Sequence, residues 1–69
     1  MSDNRTFPRP WRVEEYNDSC FIIKDATGFS VAYVYFDDVP SRRSATNRMS
    51  KASARRIANR IAKIGALDE

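Results

Sequence analysis

The chain has 69 residues, is 42% apolar and 30% charged, and carries a formal net charge of +3. This length holds one domain at most, burying only about 60% of its unfolded surface, and the composition is that of a folded chain. One cysteine and no histidine exclude an internal disulfide and remove the commonest general base and metal ligand.

Residues 1–10 are polar and hold Pro8 and Pro10. They read as a disordered arm, with nothing to offset the entropy of ordering. They show no apolar stretch of the secretory kind, and no apolar run in the chain reaches the ~20 residues of a membrane span. A cytoplasmic protein with no membrane partner is expected.

The ordered domain is expected over residues 11–66, with 67–69 as a tail. "WRVEEY" (11–16) alternates as a strand does, "NDS" (17–19) is turn chemistry, and "CFIIKD" (20–25) is a second strand. "DATG" (25–28) is a turn in which Gly28 can take positive φ. "FSVAYVYF" (29–36), β-branched and aromatic, is the third strand. Residues 37–49 read as a thirteen-residue connection in which Pro40 forbids a ladder, with at most a turn of helix near 44–48. "MSKASARRIANRIAKIGAL" then begins a helix, capped by Ser50 and stopped at Gly65. Its apolar positions are Ala54, Ile57, Ala58, Ile61 and Ile64.

The order predicts an α+β fold: a three-stranded antiparallel meander packed on one C-terminal helix, β-β-β-α. The helix covers one sheet face, assigned to Trp11, Val13, Phe21, Ile23, Ala32, Val34 and Phe36. Arg12, Ile22, Lys24, Val31, Tyr33 and Tyr35 then point outward. This parity requires an even number of residues in the 25–28 hairpin loop.

Charge is unevenly spread. Residues 1–36 hold four cations and five acids, whereas residues 37–69 hold eight cations and four acids. All eight lie between Arg42 and Lys63, a stretch without one acid. Lys51 with Arg55, and Arg56 with Arg60, are like charges at i,i+4, which weaken a helix unless anions lie nearby. Flat rings beside cations are what stacked bases require. The expected function is therefore non-catalytic binding of nucleic acid, duplex DNA first. Arg12, Lys24, Tyr33 and Tyr35 would act from the open sheet face. Arg42, Arg43, Lys51, Arg56 and Arg60 would act from the loop and helix. The chain's own acids are an alternative to phosphate: Asp37, Asp38 or Glu14 could fold back onto the basic side. The other functional expectation is a protein-interaction or self-associating module, a homodimer or one with an acidic partner, in which the tyrosines pack on protein. No catalytic residue, metal or cofactor is expected. Cys20 lacks a base, and Asp37 and Asp38 would diverge on an extended strand.

Three resemblances follow. "AYVYF" is similar to the end of the RNA-recognition strand signature, but Phe29, Ser30 and Val31 break its start. The β-β-β-α order, with Ser50, Lys51 and Ala54 opening the helix, resembles integrase-type DNA-binding domains, which implies an open sheet face in the major groove. "PWRVEE", "FIIKDATG", "AYVYFDDVPSRRSA" and "ARRIANRIAKI" together resemble a family of short uncharacterised bacterial proteins over roughly residues 10–64. Val39 and Ser41 depart from that family's pattern, which has an acid and a glycine there. The resemblance implies one small cytoplasmic domain and brings no activity with it.

Overall fold

The computed structural model describes residues 7–67, with side chains through Gly65. Three strands, β1 (Arg12–Tyr16), β2 (Cys20–Lys24) and β3 (Ser30–Tyr35), form one antiparallel sheet in the order β1-β2-β3. Two helices follow, α1 (Pro40–Thr46) and α2 (Lys51–Leu67). The α+β meander with its C-terminal helix is as the sequence pattern predicts. No helix among the described residues is long and apolar enough to cross a membrane.

The turns explain the register. Asn17 and Asp18 both take positive φ, 53° and 54°, and the Ser19 amide closes on the Tyr16 carbonyl at 3.1 Å. Asn and Asp tolerate that left-handed pair, whose twist matches the flanking strands. In the second hairpin the Asp25 carboxylate organises the turn. Its Oδ1 accepts from the Thr27 amide (2.9 Å), the Thr27 hydroxyl (2.6 Å) and the Phe29 amide (3.0 Å). Gly28 completes the turn at φ 92°.

The pairing Lys24↔Ser30 encloses five residues, an odd loop, yet the expected faces are kept. A register shift between Ile23 and Lys24 leaves Val31 as an extra residue, so Ile23 pairs with Ala32. One bulged residue cancels one odd loop residue, and the apolar set stays on one side.

That side meets α2. Phe21, Ile23, Val34 and Phe36 are buried with Ala54 and Ala58, and Trp11, Val13, Ala32, Met49, Ile61 and Ala62 pack around them. The Phe21 and Phe36 rings lie 5.1 Å apart. Ala54 and Ala58 are fully buried; with only a methyl group each, they let the helix axis approach the sheet closely.

Four expectations need correction. Residues 37–49 are not a structureless loop, because α1 occupies Pro40–Thr46 with proline in its first turn and Asn47 as a left-handed cap at φ 59°. Proline suits that position since its missing N–H is one the helix leaves unpaired anyway, and Asn tolerates the cap. The cap also displaces the turn expected near 44–48. Second, α2 does not stop at Gly65 but runs to Leu67, past the expected limit at 66. Gly65 is buried, and a Cβ built on it would overlap the Trp11 ring; glycine is there for close approach. Third, Ile57 and Ile64 do not face the sheet, being 40% and 50% exposed. At about 100° per residue they sit roughly 85–105° from the middle of the arc that Ala54, Ala58, Ile61 and Ala62 turn to the sheet, beyond its reach.

Fourth, residues 7–10 do not belong to a free arm. The Ala26 amide donates to the Pro8 carbonyl at 3.0 Å, the Trp11 indole N–H donates to the Phe7 carbonyl at 2.9 Å, and the Phe7 ring lies 5.6 Å from Phe29. The turn at 25–29 offers the backbone and ring partners that local sequence does not reveal. The rest of the expected arm, residues 1–6, and positions 68–69 of the tail lie outside the described residues.

Candidate functional site

Nine residues were expected to form an interface, and the fold divides them among three places. On the open sheet face, Glu14 lies between two cations. Its carboxylate accepts from Arg12 Nε at 2.9 Å and pairs with Lys24 Nζ at 3.1 Å. Lys24 first, then Arg12, holds the Glu14 carboxyl below its usual range. Arg12 also donates to the Asp25 carbonyl at 3.2 Å. Beside this ladder the half-exposed Tyr33 and Tyr35 rings lie nearly parallel, 13° apart with centroids 6.3 Å apart. Arg48 sits over the Tyr35 ring at 5.0 Å. Arg48 was not among the expected residues; the "NRM" segment returns beside Phe36 through a parallel bridge to Met49.

The second place is the junction before α1. Asp37, 8% exposed, accepts from the Val39 amide at 3.0 Å and from Arg42 at 3.2 Å. The Val39 N–H contributes most, with Arg42 adding to it, to holding the Asp37 carboxyl below its ordinary value against the opposing effect of burial. Arg43 Nε donates to the Asp37 carbonyl at 2.8 Å. The expected loop clamp, Arg42 and Arg43, is therefore bonded to the chain's own Asp37, with the Arg42 side chain still largely exposed.

The third place is α2. Ser50 caps it as expected, its hydroxyl accepting from the Ser53 amide at 3.2 Å, and Asp38 accepts from the Lys51 amide at 3.2 Å. Lys51 Nζ pairs with Glu15 at 2.9 Å and Asp18 at 3.5 Å. Glu15 is the main cause of its pKa lying above 10.5. A lysine at a helix start faces the positive end of the dipole, and these carboxylates, from β1 and the first turn, relieve it. Arg55 lies over the buried Phe21 ring at 5.1 Å.

Arg56, Arg60 and Lys63 differ. Among the described residues no carboxylate or ring pairs with them. They form one ridge on the side of α2 away from the core, at i, i+4 and i+7, spanning about 10.5 Å. A shallow depression of about 190 Å³ beside this ridge is lined by Ser53, Arg56, Ile57 and Arg60. A larger one, about 420 Å³, is lined by Arg9, Pro10, Trp11 and Ala62 and gathers little polar chemistry.

The structure thus brings Arg12, Lys24, Tyr33 and Tyr35 together, and Arg42 with Arg43. It does not join either group to Arg56 and Arg60, because α2 covers the opposite sheet face and points them away. Lys63, which helical spacing already places on the same side of the helix as Arg56 and Arg60, was not among the expected binding residues. Among the described residues no three metal-binding side chains gather.

A scan against protein-family models, a search of curated proteins and a search of solved structures each found no significant match.

Proposed function

We propose that the domain is a non-catalytic binding module that takes an anionic macromolecule on the outer face of α2. One observation carries this reading. All six acids with described positions, Glu14, Glu15, Asp18, Asp25, Asp37 and Asp38, are engaged by the domain's own donors. Among the described residues, none of these acids pairs with Arg56, Arg60 or Lys63 on the ridge. Like charges at i,i+4 weaken a helix by about 0.2–0.5 kcal/mol per pair, a cost that an anion lying along the ridge reverses.

A nucleic-acid backbone and an acidic protein segment both meet this description. The first is tested by fluorescence anisotropy with duplex DNA, single-stranded DNA and RNA at two salt concentrations. Three phosphates neutralised by the ridge give a log–log salt slope near −3, since each contact contributes about −0.9 on B-DNA. Changing Arg56 and Arg60 to glutamine should flatten the slope by about two units. Arg42→Gln should leave it unchanged, because Asp37 already holds that guanidinium. A loss on Arg42→Gln with none from the double variant would move the binding face to the α1 junction and reject the ridge.

A further inference from the structure

We infer that the outer flank of α2 docks an acidic amphipathic helix from a protein partner. This rests on the reading of α2 as an anion-binding face and narrows its partner to one class. The deciding feature is apolar. Ile57 and Ile64 are 40% and 50% exposed, and among the exposed large apolar residues they are the two that stand on α2 beside the cations. They are seven residues apart on one line of the helix, about 10.5 Å along its axis. Arg60 sits between them and Arg56 and Lys63 form the adjacent row. The depression lined by Ser53, Arg56, Ile57 and Arg60 opens beside the first isoleucine.

Each rival occupant fails on one of these features. A phosphate backbone satisfies the cations but offers nothing to bury two isoleucines. A second copy of this chain would set the same three cations against themselves. An extended segment rises about 3.3 Å per residue and alternates faces. Two same-face residues on it lie about 6.6 or 13 Å apart, and neither matches 10.5 Å. A helix with apolar residues at i and i+7 matches the spacing. Acids flanking those residues would meet Arg56, Arg60 and Lys63, giving the charge complementarity typical of helix-on-groove recognition.

The test uses a designed helical peptide with two leucines seven residues apart, flanked by glutamates. Three further probes are the same composition with the leucines scrambled, poly-glutamate, and a short DNA duplex. The designed peptide should bind at least about tenfold more tightly than the scrambled one. Ile57→Ser and Ile64→Ser should each weaken it by about tenfold. Both positions are exposed, so circular dichroism should show an intact fold. Tighter or equal binding of the scrambled peptide, poly-glutamate or duplex, with no effect of the serine variants, overturns the inference. If Arg56→Gln with Arg60→Gln still weakens those probes, the anion-binding reading of α2 stands. If that double variant alters binding of no probe, or no probe binds, both fall.

Discussion

Gly65→Ala separates packing from capping at the end of α2. In a helix interior, alanine is favoured over glycine by about 1 kcal/mol. Here the added Cβ would overlap the Trp11 ring. The indole cannot simply retreat, since its N–H is tied to the Phe7 carbonyl at 2.9 Å and its ring packs against the core. Overpacking of this kind costs about 1–3 kcal/mol, so the net effect should be a loss of up to ~2 kcal/mol. Each kcal/mol lowers the melting temperature of so small a domain by about 4–8 °C. A left-handed glycine cap would also lose stability on going to alanine, so the single variant does not discriminate. The second background is Trp11→Ala, which removes the Cγ and ring atoms that the added Cβ would meet. Under the packing reading Gly65→Ala then becomes stabilising by about 1 kcal/mol, because only the helix preference remains. Urea denaturation followed by far-ultraviolet circular dichroism measures all four proteins. An equal change in both backgrounds would refute the contact as the reason for glycine.

Ile61→Ala should cost about 1–3 kcal/mol, below the full range for a buried isoleucine because the side chain is only half-buried, whereas Ile57→Ala should fall within ~0.5 kcal/mol. Equal losses in thermal melts would return Ile57 to the core. Asp37 supplies an acid-side dependence. Its folded pKa lies below the ordinary value of 3.8, so in that window the unfolded chain binds more protons and stability rises with pH. The contribution is complete above 3.8 and fades as pH falls through the folded value; the Asp37→Asn variant should lack it. Urea midpoints of parent and variant between pH 2 and 6 should therefore converge toward acid, and parallel curves would contradict the Val39 and Arg42 contacts.

Much of this domain is legible in one dimension because its causes are local. Alternation in "WRVEEY" and "FSVAYVYF", the Asn17–Asp18 and Gly28 turns and the Ser50 cap each depend on a few consecutive residues, and all appear where the sequence places them. The covered face was correct too, although the odd loop should have inverted it. The bulge at Val31 restored parity, and a bulge is selected by the core that it satisfies. What lay beyond the sequence involves partners distant along it. Lys51 meets Glu15 and Asp18, and Pro8 meets Ala26. No spacing rule ranks nine acids as claimants for twelve cations, since the ranking depends on which ends the hairpins bring together. The same holds for α2. Five apolar positions at helical spacing cannot all touch a flat sheet, and its packing on β2 selected Ala54, Ala58 and Ile61. Ile57 and Ile64 were left outside beside Arg56, Arg60 and Lys63. Sequence determined that this helix would be basic and amphipathic; only the tertiary structure decided which cations and which isoleucines the described residues leave unengaged, because that depends on what the sheet and its turns have already covered.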